Sequence, residues 1–342
     1  MDDSLPLPEF YDPARAGSLW HVPYEARAEQ AALWAAQHAI TPADQDSRQI
    51  WLLLVDMQNT FCLPDFELFV AGRSGRGAVE DTARLCEFIY RSLGILTQIT
   101  ATLDTHTAMQ VFHAVFLIDS SGAHPSPYST VAAADVRSGR WRFNPALASQ
   151  FAISPDYGQE MLLHYVSELE QRGKYELVIW PYHAMLGSLG HALVPSIEEA
   201  LFFHSIARSA RTEFEIKGRS PFTENYSVIG PEVLFGPMGE TLGEHNPRFV
   251  ERLQSVDALI IAGQARSHCV AWTVADLLDD IREVDPALAQ KVYLLEDCMS
   301  PVVVPGADFT DAADRAFEGF AAAGMHRVRS TDPVRSWDGF PA

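Results

Sequence analysis

Several short stretches of this chain carry side chains that can do chemistry. In VDALIIAGQARSHCVAWTVADLLDDI, an apolar run from Ala258 to Ala262 stops at Gly263, and Cys269 follows after a short polar turn. Val270, Val274, Leu277, Leu278 and Ile281 recur behind it at helical spacing, which places Cys269 on the first turn of a helix. Unpaired N–H groups and the positive end of the helix dipole favour thiolate there, the form that attacks carbon. A cysteine that simply packs as a small apolar side chain fits the same position. IWLLLVD is an apolar strand ending in Asp56, and α/β sheets place ligands at that strand edge. LDTH puts Asp104 and His106 at alternate positions past the strand Gln98 to Leu103. Alternate residues of extended backbone point the same way, so carboxylate and imidazole can converge on one metal, and O plus N donors suit zinc or iron. YELVIWPYH reads as a strand, Leu177 to Trp180, followed by His183, and a strand Thr212 to Ile216 leads into Lys217.

Asp56, Lys217 and Cys269 suit covalent acyl transfer. A thiol needs a base, a carboxylate serves when burial raises its pKa, and an ammonium nearby holds the thiolate. The turn Gly263 to His268 and the first N–H groups of the Cys269 helix are the expected oxyanion donors. A surface lysine at a strand end is the plainer account of Lys217.

The elements that must position these residues alternate strand with helix. Helices are expected over Tyr24 to His38, Val79 to Leu93, Pro195 to Ala207 and Pro247 to Leu253. A last helix is capped by Asp308, with Phe309, Ala313, Ala316, Phe317 and Phe320 inward; a further strand runs from Val292 to Leu295. This pattern predicts an α/β fold: a Rossmann-like, mostly parallel central sheet with helices on both faces. Residues 1–47 read as an N-terminal extension, 48–330 as one domain, and 331–342 as a C-terminal tail. Within the domain, 107–173 reads as an excursion, and residues 119 to about 158 inside it are rich in Ser, Pro, Gly and Ala, beginning with SSGAHPSPYST. The glycines of AGRSGRGAVED do not follow a strand in phosphate-binding order and read as a loop.

Composition narrows the function. The 342 residues carry a formal charge of −20 without a basic cluster, which disfavours nucleic acid. No apolar run approaches the ~20 residues that span a bilayer, and MDDSLPLPEF has no basic region or apolar core of a secretory signal. Cys62, Cys86, Cys269 and Cys298 lie scattered without CxxC spacing, which argues against a disulfide scaffold or a cysteine zinc site. A soluble cytoplasmic protein is expected.

These motifs resemble the isochorismatase-like cysteine hydrolases, and among them the nicotinamidases. The resemblance runs over roughly 50–330 and is carried by VDMQNTF, LDTH, WPYH, IKGRSPFTENYS and AGQARSHCV. It implies a catalytic triad of Asp56, Lys217 and Cys269. It also implies a cis Gln264–Ala265 peptide, with an oxyanion hole at the Ala265 and Cys269 N–H groups. It implies one divalent metal ion (zinc first, then iron or manganese) on Asp104, His106 and His183. Phe61 and Trp180 would sandwich a pyridine ring, with Gln264 and Tyr226 as further substrate contacts.

The implied activity is hydrolysis of nicotinamide to nicotinate and ammonia, a step of NAD salvage, through a cysteine thioester. The partner is a small carboxamide; a homo-oligomer stays open. The sequence departs from the family pattern at Thr107, where proline is usual, and at His113, which stands out of register with a second histidine. His268 reads as a rim residue, and Glu224 and Asp297 as structural acids. The alternatives are an amidase for another small carboxamide or carbamoyl compound, and a non-catalytic binding or scaffold relative. An isochorismate-type hydrolase needs no thiol and fits Cys269 poorly.

Overall fold

The run Ile50–Val55 has no polar interruption, so both of its faces must be covered, and it becomes the fully buried central strand β1. The computed structural model describes residues 4–304 and 306–341; the first three residues of the extension, Pro305 and Ala342 lie outside that range. The other strands of the main sheet are β2 (Gln98–Asp104), β3 (Glu213–Lys217), β4 (Ala258–Gly263), β5 (Val292–Leu295) and β6 (His326–Val328). Their order is β6–β5–β4–β1–β2–β3. The pairings from β6 through β2 are all parallel, with Val55 level with Gly263 and Leu54 level with Ala101. The long helices are α1 (Tyr24–Gln37), α2 (Gly77–Arg91), α3 (Pro155–Gln171), α4 (Pro195–Ala207), α5 (Arg248–Ser255), α6 (Ala271–Val284) and α7 (Thr310–Ala322). This is the mostly parallel, helix-flanked sheet that the sequence implies. No helix among the described residues is long and apolar enough to cross a membrane.

The chain divides into two compact units. The first comprises the described residues up to Leu103, Ala192–Glu215, and Pro247 onward, and holds nearly all of the sheet. In it α4 packs against both α1 and α2, while α6 packs against α5 and α7. The N-terminal arm lies on these helices. Tyr11 donates to the Ala83 carbonyl (2.8 Å), and the buried Arg27 pairs with Glu199 (2.5 Å).

The second unit, Asp104–His191 and Ile216–Asn246, contains the stretch read as an excursion. Two short antiparallel pairs lie in it: Leu117–Ile118 with Arg142–Phe143, which packs on α3, and Thr130–Val131 with Leu177–Val178. Gly158 lets α3 close on the sheet pair, because a Cβ there would sit 2.3 Å from the Phe143 ring. Phe116, Phe143, Phe151 and Phe222 form an aromatic cluster.

Three expectations are corrected here. Leu177–Val178 belongs to a two-stranded antiparallel pair and not to the parallel sheet, so His183 does not leave a central strand end. Cys269 lies in a π-helical turn, Arg266–Val270, that precedes α6 rather than in the first α-turn. The residue capping α7 is Phe309; Asp308 instead reaches forward, its Oδ1 accepting from the Thr310 N–H (2.9 Å).

Candidate active site

In the first unit, β1 and β4 end side by side, and the candidate nucleophile and base follow their ends. Val55 is in register with Gly263, whose φ of +124° and lack of Cβ let the strands stay close. A Cβ there would lie 2.1 Å from the Val55 oxygen. Asp56 is fully buried with φ +48°; its N–H donates to Thr102 Oγ1 (2.9 Å), and the same hydroxyl donates back to its carboxylate. Gln264 donates its N–H to the Val55 oxygen (2.8 Å), and the Gln264–Ala265 peptide is cis. The Ala265 oxygen then accepts from His268 N (3.0 Å) and Val270 N (3.1 Å), which wraps the turn around Cys269. Cys269 is 7% exposed.

Gln264, which the resemblance gives as a substrate contact, instead turns its side chain into the protein. Its Nε2 donates to Asp81 (2.8 Å) and its Oε1 accepts from Ser300 N (3.3 Å). His268 lies beneath Phe309, ring centroids 4.7 Å apart, with its Nδ1 2.8 Å from Ser267 Oγ. Phe61 is buried in the short helix Asn59–Cys62. The other cysteines are inert by environment: burial pushes the thiols of Cys62, Cys86 and Cys298 well up.

In the second unit, Asp104 ends β2 and meets three cationic or polar neighbours. His106 Nε2 and Lys217 Nζ each lie 3.1 Å from its Oδ1, and His183 Nε2 lies 3.9 Å from its Oδ2. Burial opposes ionisation of Asp104, but the charges of His106 and Lys217 outweigh it and hold the carboxyl well below the usual range. Lys217 also donates to the Asn225 oxygen (2.8 Å). Gly218, at φ +83°, follows at once; a Cβ there would stand 2.7 Å from Asp104 Oδ1.

Three imidazoles converge beside this carboxylate. His106, His113 and His183 are all buried, and one nitrogen of each lies within 4.8 Å of the others. Two isolated parallel bridges stitch the segments together, His106 to Met185 and His113 to Trp180. The Nδ1 atoms face carbonyls: His106 that of His183 (3.2 Å), His113 that of Ala108 (3.3 Å), His183 that of Pro181 (2.8 Å). A carbonyl only accepts, so each Nδ1 carries a proton, and the neutral rings of His113 and His183 present a lone pair at Nε2. This is the outer hydrogen bonding that metal-ligating histidines use.

Burial brings the pKa of His113 down to about 4 and that of His183 well below its ordinary value, so both rings are neutral at pH 7. His113 Nε2 is buried without a hydrogen-bond partner. The donor set therefore fits a divalent metal of the zinc kind. His113 was the member that sequence reading left unassigned.

Trp180 is buried next to this cluster, its Nε1 donating to Tyr226 Oη (3.1 Å), and Tyr226 in turn hydrogen-bonds Glu224. Burial, with Glu232 nearby, raises the pKa of Glu224 well above that of an ordinary carboxyl.

No family model matches the sequence, and no curated protein is similar to it in sequence. Solved structures are similar in fold. Yeast nicotinamidase is 18% identical with a TM-score of 0.50, over 82% of this chain and 99% of that one. The yeast enzyme bound to the inhibitor nicotinaldehyde gives 18% and 0.50, over 82% and 100%. The fold is that of the nicotinamidases. An Acinetobacter baumanii nicotinamidase/pyrazinamidase is 17% identical with a TM-score of 0.49, over 84% and 99%.

Proposed function

We propose that this protein is an amidohydrolase that converts nicotinamide and water to nicotinate and ammonia, with residues 48–330 as its catalytic domain. The observation that carries the reading is the buried His106, His113 and His183 group beside Asp104, on a nicotinamidase fold whose first unit presents Cys269 in a hydrogen-bonded turn. Asp56 takes the thiol proton of Cys269 as Sγ attacks the carboxamide carbon. The carbonyl oxygen gathers charge against the N–H groups of Ala265 and Cys269. Asp56 returns the proton to the nitrogen, which leaves as ammonia. Water then adds to the thioester with Asp56 as base, releasing nicotinate and restoring the thiol. Lys217 supplies the positive charge that favours thiolate, as the resemblance assigns it. Asp104, His106 and His183, with His113 added, would hold the metal, which when bound anchors a pyridine nitrogen and so orients the ring. Phe61, Trp180 and Tyr226 are assigned to the ring itself.

Ammonia release from nicotinamide, with metal analysis of the same sample, tests the proposal. Benzamide, which has the carboxamide without the ring nitrogen, is expected to be a much poorer substrate. Metal-free protein that hydrolyses both amides equally well would overturn it in favour of a general cysteine amidase.

A further inference from the structure

Asp81 stands on α2 in the first unit, 1% exposed, and its carboxylate accepts from three donors. Gln264 Nε2 lies 2.8 Å from Oδ2, Arg84 Nη2 lies 2.8 Å from Oδ1, and the Ser300 hydroxyl adds a third bond. Burial raises its pKa, while the three donors and the guanidinium favour the ionised form. A buried acid is a costly way to fill space, since an apolar residue packs without desolvation. What it supplies is direction. Gln264 opens the turn that leads to Cys269, and Asp81 fixes which way its amide faces. The far end of that amide accepts from Ser300 N (3.3 Å), and the Ser300 oxygen accepts from Arg266 N (2.8 Å). Both Gln264 and Arg266, the residues flanking Ala265, are thus tied to Asp81 or to a partner of Asp81. The Ala265 oxygen in turn holds the N–H groups of His268 and Val270 on either side of Cys269. Arg84 is itself fixed, its Nε donating to the Asp297 oxygen (2.5 Å).

We propose that Asp81 is a positioning residue for the nucleophile turn: through Gln264 and Ser300 it sets the orientation of the Ala265 and Cys269 N–H groups. It touches neither substrate nor thiol. The inference rests on the thiol reading given under Proposed function.

The test is Asp81→Asn, alone and combined with Gln264→Glu. The single change sets an NH2 against Gln264 or Arg84, so one donor loses its acceptor. In the pair, the Asn Nδ2 donates to the new Glu carboxylate, the Asn Oδ1 still accepts from Arg84, and Ser300 N keeps its acceptor. Misplacement of a reacting group by an ångström costs up to ~10²-fold, so kcat is expected to fall ~10- to 100-fold in Asp81→Asn, and KM to change by less than about threefold. The pH profile of Cys269 alkylation is expected to shift as well, and the double variant to recover most of both losses. A folded Asp81→Asn protein with unchanged kcat and alkylation profile would overturn the proposal, as would a loss that the double variant does not repair. Should Asp81→Asn not fold, Ser300→Ala removes only the hydroxyl bond; unchanged kcat and alkylation in that variant would be equally decisive against it. If the wild-type protein releases no ammonia from nicotinamide, the proposed function fails. The alkylation profile of Cys269 then decides the role of Asp81 alone.

Discussion

Replacing His113 with Phe should make the metal-free protein more stable and the metal-loaded protein relatively less so. The ring of His113 packs 4.7 Å from both Phe112 and Tyr182, contacts that a phenyl ring keeps. Its Nε2 is buried without a partner, a condition that costs about 1–3 kcal/mol. The change also gives up the bond from Nδ1 to the Ala108 oxygen, worth about 1 kcal/mol. The balance is about 1 kcal/mol in favour of the variant, or ~2 °C in Tm for a chain of this size. In metal the sign reverses. At a metal concentration near 100 Kd the wild-type protein gains about 2.7 kcal/mol, and a ~100-fold weaker variant gains only about 0.4 kcal/mol. Thermal unfolding with EDTA and with zinc therefore gives melting curves whose order inverts between the two conditions. A variant that is destabilised in EDTA and retains the full zinc-induced gain would refute the assignment of His113 to the cluster.

Cys269→Ala should abolish hydrolysis while the fold persists. Limiting iodoacetamide, followed by peptide mapping, should label Cys269 and leave Cys62, Cys86 and Cys298 unmodified, because burial holds those thiols protonated. Gly218→Ala places a Cβ 2.7 Å from Asp104 Oδ1 and 3.1 Å from His106 Nε2 at φ +83°, so metal content should drop; a full metal complement would count against that geometry. His204 is buried with its pKa lowered to about 4, chiefly by desolvation, and its Nε2 lies 2.9 Å from the Leu96 oxygen. On acidification the unfolded chain takes up that proton first, near its ordinary value of about 6.5. The contribution is complete above that pH and lost on the way down to about 4, roughly 3 kcal/mol in all. His204→Gln should flatten the stability curve across this window, and parallel curves for the two proteins would contradict the shift.

The parts of the fold that were legible are those whose signals are local. Pro195–Ala207 and Val292–Leu295 fall where proline at a helix start and a continuous apolar run put them, and Ile50–Val55 ends one residue before the acid it delivers. The missed helix α3 carried a usable signal. Ser154 caps it, Pro155 opens it, and Met161, Leu162, Tyr165, Val166 and Leu169 line its buried face, but the Ser- and Pro-rich stretch before it masked the change of period. The edge strand His326–Val328 has only three residues, too few for a periodic pattern. Leu177–Val178 reads like any other apolar strand. Its partner, Thr130–Val131, is a pairing across nearly fifty positions that no local pattern specifies.

The same distinction runs through the candidate site. Asp104 and His106 are legible as a pair because β2 ends at Asp104 and His106 follows two residues on, in a bridge to Met185, and Asp56 is legible because β1 and β4 end level, Val55 opposite Gly263. His113 had no such frame. It sits on a loop, and its position depends on how that loop is pinned. Gln110 does the pinning: its Oε1 accepts from Thr107 N (2.8 Å), its Nε2 donates to the oxygens of Gly218 (2.6 Å) and Ser220 (2.9 Å), and its own oxygen takes the His113 N–H (2.9 Å). With the loop closed, Trp180 N donates to the Phe112 oxygen (2.9 Å) and brings the segment bearing His183 alongside. A ligand delivered by a loop is thus encoded less in its own spacing than in the buried amide that closes the loop. Gln110, fully buried and bonded at both ends of its side chain, is the residue whose type makes His113 a member of the cluster.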